Sequence, residues 1–176
     1  MKNILIVYFS MGGHTRALAE ELAAATDADI EEITEVHPRH GAGGMWRALW
    51  DASWRRRTRI QPIRHDPADY DLLVLGGPIW ARRLAAPVRT FAQQYGQRAR
   101  AIAFFCTEGG QGADSAFGDL QRLSRQRPVV TLAVDAKHLS PPEHRSDLGR
   151  FVAYLMRGAV GGGTEAGGLP AAIGAH

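Results

Sequence analysis

Short apolar runs and helically spaced apolar positions alternate along this chain. Residues 3–9 ("NILIVYF") form an unbroken apolar run, the pattern of a strand covered on both faces. Residues 15–25 follow, with Leu18 and Leu22 on one face and Glu20 and Glu21 on the other, which predicts an amphipathic helix. Residues 28–34 ("ADIEEIT") read as a weaker strand, and Trp46, Leu49, Trp50 and Trp54 then recur at helical spacing. Residues 70–77 ("YDLLVLGG") predict a central strand, followed by Leu84, Val88, Phe91, Ala92 and Tyr95 at helical spacing. Residues 100–107 ("RAIAFFCT") and 128–135 ("PVVTLAVD") are two further strands. Phe117, Leu120 and Leu123 mark the helix after the first of them, and Leu148, Phe151, Val152 and Leu155 the helix after the second.

Five strands alternating with five helices predict an α/β domain, a parallel sheet with helices on both faces. The pattern ends near residue 157. Residues 158–176 are rich in glycine, carry no periodicity and are expected to lack regular structure. The expected organisation is one domain over 1–157 and a tail over 158–176.

Composition narrows the classes. A chain of 176 residues can bury a core without staples. No run approaches the ~18 apolar residues of a membrane span, and the amino terminus reads as a first strand, not a signal peptide. The single cysteine, Cys106, excludes an internal disulfide and fits a reducing, cytoplasmic setting. Its expected role is that of a small buried hydrophobe. Residues 1–35 carry a net charge of −5, seven acids against Lys2 and Arg16. Residues 36–64 carry +6, seven arginines against Asp51. Of 21 basic residues 19 are arginine, and the excess is read as solvated surface rather than a nucleic-acid face. Arg55 to Arg59 ("RRRTR") read as the solvated end of the tryptophan-bearing helix.

In an open parallel sheet ligands bind outside the carboxyl ends of the strands, where the strand order reverses. Three loops therefore matter. After the first strand comes "SMGGHT" (10–15), with two glycines, two hydroxyls and a helix start. It suits either a plain strand-to-helix turn or an uncharged cradle for a phosphate. It lacks the lysine of the G-x-x-x-x-G-K-[ST] nucleotide loop. After the third strand comes "GGPIWARRLAAPV" (76–88). Trp80 stands outside the periodic pattern there, fit either to stack on a planar ligand or to cover the core. After the fourth strand comes "CTEGGQG" (106–112), where glycines expose backbone groups and Glu108 is expected to be exposed. No acid–base dyad, nucleophile–base pair or metal set stands out, and His65, His138 and His144 lack metal-ligand spacing.

At these loops the chain resembles the flavodoxin-like FMN proteins. That family's first loop reads roughly [ST]-x-[TS]-G-x-[TS]; Ser10, Gly13 and Thr15 match it, and Gly12 departs where a hydroxyl is usual. The segment 76–88 is similar to the family's G-[TS]-P-[IV]-W loop with its following helix, and "FFCTEGG" to its F-x-[ST]-x-G-G loop. The resemblance implies a three-layer sandwich with a five-stranded parallel sheet in the order 2-1-3-4-5. It implies FMN with its phosphate on Ser10, Met11, Gly12, Gly13, His14 and Thr15. The ring would lie between Pro78, Ile79, Trp80 and Ala81 on one side and Thr107, Glu108, Gly109 and Gly110 on the other.

The function expected is electron transfer through FMN, exchanging electrons with a redox partner protein or a small acceptor such as a quinone. The alternative is an FMN-dependent NAD(P)H:quinone or flavin oxidoreductase, with Trp46 or Trp50 available for a homodimer face. A flavin-free binding module is the remaining class. No catalytic side chain and no metal ligand is assigned.

Overall fold

The computed structural model describes residues 3–36, 58–80, 82–135, 142–158 and 171–173. The tryptophan-bearing stretch around Trp46, Trp50 and Trp54, most of the arginine run, His138 and Ala81 lie outside the described residues.

The strands are β1 (Ile4–Tyr8), β2 (Asp29–Glu32), β3 (Leu72–Trp80), β4 (Arg83–Leu84), β5 (Ile102–Glu108), β6 (Val130–Asp135) and β7 (Ala171–Ile173). The α-helices among the described residues are α1 (His14–Thr26), α2 (Ala86–Tyr95), α3 (Ala113–Ser124) and α4 (Pro142–Gly158). The main sheet runs β2-β1-β3-β5-β6-β7, every pair parallel, and β4 pairs antiparallel with β3 off that path. The chain leaves β1 for one side of the sheet and returns to β3 on the other, so the order reverses between β1 and β3.

Alternation along the buried strands feeds two cores. Leu5, Val7, Leu73, Leu75, Phe104 and Cys106 face α2 and α3, meeting Val88, Phe91, Ala116 and Leu120. Ile4, Ile6, Leu72, Val74, Phe105 and Leu132 face α1 and α4, meeting Leu18, Leu22, Phe151 and Leu155. Burial on both faces is why these strands read as continuous apolar runs.

Three expectations change. The parallel part of the sheet has a sixth strand, because residues 171–173 of the presumed structureless tail pair with β6. Ile173 enters the core there at 2% exposure. Three residues are too few for a period to show. The third strand does not end at Gly77 but runs to Trp80. Leu84, placed by spacing on the next helix, instead belongs to the two-residue strand that pairs back on Ile79. The "GG" of this segment serves packing. A Cβ at Gly76 would lie 2.3 Å from the Phe105 ring on the neighbouring strand, and one at Gly77 would lie 2.6 Å from Val88 on α2.

Candidate functional site at the carboxyl edge of the sheet

The carboxyl ends of β1, β3 and β5 bring the three loops together. Phe9 N–H donates to the Gly76 carbonyl at 3.2 Å and holds the first loop's entry against β3. Ser10, Met11 and Gly12 follow, and Gly13 turns the chain at φ +88 into α1. The N-cap residue, Gly13, has no side chain to cap that start, and the first turn carries no acidic residue. The positive dipole end of the helix therefore meets no negative charge from its own first turn. Ser10 Oγ accepts from Arg16 N–H at 3.2 Å, which leaves the hydroxyl proton for another partner. A Cβ at Gly12 or Gly13 would meet nothing within 4 Å, so the loop borders open space. His14 is exposed at the first position of α1. Met11 is partly buried against the core.

The loop has no cation of its own. Arg16, in the first turn of α1, is committed to Glu32 on β2, with bonds of 2.9 and 2.7 Å to its two oxygens. Burial, and then the Glu32 charge, raises the Tyr8 hydroxyl above its ordinary range.

The second loop is a hairpin. Trp80 pairs with Arg83, and Arg82 at the turn takes the left-handed conformation at φ +64. Pro78 and Trp80 are partly buried and Ile79 is buried. The Trp80 ring meets Phe9 edge-on at 6.2 Å and 84°. It packs on the core without being enclosed by it. Core cover, one of the two alternatives in the sequence, is therefore met, while part of the ring stays open.

The third loop turns at Gly110 (φ +134) and Gly112 (φ +129) into α3. Gly109 and Gly110 again border open space, whereas a Cβ at Gly112 would lie 2.8 Å from the Arg82 Cα. Hairpin and third loop thus touch backbone to backbone, a contact that requires glycine. This role for Gly112, and that of Phe9, are missed by the sequence reading. The run of three glycines in 109–112 is the signal that marks the turn.

Two buried polar features join the loops. Thr15 Oγ1 and Thr107 Oγ1 lie 2.7 Å apart, both residues under 4% exposed. The resemblance counts Thr15 among the phosphate-holding residues; in this structure its hydroxyl shares a bond with Thr107, a tie between the first and third loops. Glu108, expected on an exposed loop, is instead the last residue of β5 and 7% exposed. Its Oε2 is buried with no hydrogen-bond partner. Burial pushes its carboxyl above the ordinary glutamate range. The Ala113 backbone N–H pulls against that, and Asp135 and Asp114 push the same way as burial. Cys106 is fully buried and its thiol is pushed well up by the same desolvation, as suits a small core residue and not a reactive thiol.

The residues present fit a phosphate-bearing planar cofactor. Four glycines line unfilled space, a helix N-terminus lacks an internal anion, and an aromatic side chain is partly open at the edge. Among the described residues no cluster of His, Cys, Asp or Glu could hold a metal ion. No helix among them is long and apolar enough to cross a membrane.

The comparisons with known proteins agree with this geometry. Residues 3–153 match the flavodoxin family model. A flavoprotein solved in complex with FMN from Lactobacillus acidophilus NCFM superposes with a TM-score of 0.65 at 23% identity, over 79% of this chain and 97% of that one. A flavodoxin from Streptococcus pneumonia TIGR4 does so with a TM-score of 0.59 at 15% identity, over 88% and 98%. An NAD(P)H dehydrogenase (quinone) from Cupriavidus metallidurans is 32% identical over 103 residues, 54% of this chain and 48% of that protein. The chain thus spans about half the length of that curated relative. With the family pattern covering nearly all of the parallel sheet and all three loops, the chain belongs to the flavodoxin family.

Proposed function

We infer that the protein is an FMN-binding redox protein that mediates electron transfer, with the flavin at the β1/β3 switch point. The open glycine-lined edge at the reversal of strand order, within a flavodoxin-family chain, is the observation that supports this. When bound, FMN supplies the one- and two-electron chemistry; the protein supplies position and electrostatics. In this reading Ser10 to Thr15 hold the phosphate through backbone N–H groups, the Ser10 hydroxyl and the α1 dipole. Pro78, Ile79 and Trp80, with Ala81 outside the described residues, flank one side of the ring. Thr107, Glu108, Gly109 and Gly110 flank the other. The flavodoxin-like domain runs over 1–157, with 171–173 adding its edge strand.

Its electron exchange is with a redox partner protein or a small acceptor. A second reading, NAD(P)H-dependent quinone reduction, is favoured by the Cupriavidus relative alone. The free, buried Cys106 fits a reducing, cytoplasmic setting.

Purified protein titrated with FMN tests the reading. It predicts flavin absorbance that stays with the protein and quenched flavin fluorescence. Protein that remains colourless at saturating FMN overturns it. Anaerobic addition of NADH or NADPH then separates the two activities. Rapid bleaching by the nicotinamide alone identifies a reductase; bleaching only with a separate reductase identifies a carrier.

A further inference from the structure

Glu108 is the one described residue at this edge that combines a carboxylate, near-complete burial and an unmatched oxygen. It ends β5 directly before the open glycines Gly109 and Gly110. Its neighbour in register on β6 is Asp135, and Asp114 lies in the first turn of α3. On its own strand Cys106 is the other titratable group that it meets electrostatically. Among the described residues the charged side chains acting on it, Asp135 and Asp114, are both negative, and Ala113 N–H favours its ionised form. A buried carboxylate in such a field stabilises little on its own account. Its Oε2 lacks any partner, and an unpaired buried charge is costly. The same field makes proton uptake the easiest response to any further negative charge nearby.

We propose that Glu108 is the proton-holding residue of this site: its buried carboxyl takes up one proton when reduction adds a negative charge to the cofactor, and gives it up on reoxidation. The inference rests on the FMN reading above. The electrons come from an external donor, a nicotinamide or a reduced redox protein. The proton comes from solvent onto the carboxylate, so that one added charge is compensated at Glu108 and no bond to the cofactor forms. The role is one of positioning charge, since Glu108 acts on the cofactor only through its field.

The test is the number of protons taken up per two electrons, read from the pH dependence of the midpoint potential of FMN-loaded protein during dithionite titration. Wild type is expected to take up one proton more than Glu108→Gln across the interval between the carboxyl's oxidised-state and reduced-state titrations. The glutamine keeps an acceptor for Ala113 N–H, so a purely structural cap leaves the proton count unchanged. Equal counts in the two chains overturn the proposal and leave the FMN reading standing. Failure of wild type to take up FMN removes that reading, and the inference with it. Should the variant not fold, wild type alone decides through its reduced-minus-oxidised infrared spectrum. A protonated-carboxyl C=O band that appears on reduction supports the proposal, and its absence overturns it.

Discussion

The glycines of the functional edge fall into two sets. Gly12, Gly13, Gly109 and Gly110 border empty space, while Gly76, Gly77 and Gly112 are pressed against other atoms. The sequence writes both sets alike, as paired or near-paired glycines after a strand. The crowded set exists because a neighbouring strand, helix or loop already occupies the position of a side chain. At the open set no protein atom occupies that position, and in the FMN reading it is the cofactor that does. A glycine-rich loop is evidence for a ligand only where the missing side chain would have had room.

The largest expected effect breaks the crowded set. Gly76→Ala drives a methyl into the Phe105 ring, in the centre of the sheet. It is expected to destabilise the fold by about 3 kcal/mol, the upper part of the range for overpacking. Urea unfolding checks this. A loss under about 0.5 kcal/mol would show that the β3–β5 spacing yields easily and would dissolve the distinction.

Next comes the open set. Gly12→Val adds volume into space bordered by no protein atom. Its stability is expected to stay within about 0.5 kcal/mol of wild type, while FMN affinity falls by about tenfold, measured by fluorescence titration. Unchanged affinity would remove Gly12 from the cradle.

The tie between the loops is tested by Thr107→Val, which strands the buried Thr15 hydroxyl. The expected cost is about 1–2 kcal/mol for an unsatisfied buried donor. Thr15→Val combined with Thr107→Val is expected to recover part of it, because both polar partners are then gone. Simple additivity of the two substitutions would argue against the pairing.

The smallest effect is a slope. Because Glu108 titrates above the ordinary glutamate range when folded, the folded state binds more protons than the unfolded chain in that window. Its contribution is therefore present at pH below the ordinary glutamate range and is lost as pH rises through the raised folded value. Apoprotein carrying Glu108→Gln is expected to lose this component of the decline. Denaturation midpoints compared from pH 4 to 8 measure it, and parallel curves for the two chains would refute it.

Much of this was open to reading from the chain alone. Continuous apolar runs identified β1, β3, β5 and β6 because those strands are buried on both faces. The alternation with helical patterns identified the parallel sheet and thereby the edge on which the loops meet. Local chemistry marked Gly12 and Gly13, Trp80 and the third glycine turn. The β3–β4 hairpin was hidden because Leu84, Val88 and Phe91 also satisfy a helical period. Hairpin pairing and helical spacing are not distinguished by so few positions. Strand β7 was hidden because one buried isoleucine makes no period.

Burial of polar groups and contact across the sheet were decided by tertiary structure alone. Thr15 and Thr107 are 92 residues apart in sequence, and no local pattern states that their hydroxyls share one bond. Glu108 reads as an exposed acid before a glycine turn; it is buried because α3 begins beside it and β6 runs alongside. Hydrophobic period is a property of neighbouring residues, so the sequence by itself carries the long buried strands, the helices α1 to α4 and the edge on which the loops meet. Desolvation, hydrogen-bond partnership and free space depend on distant residues brought close. Only the folded chain, therefore, separates glycines that pack from glycines that wait, and a surface acid from a buried one.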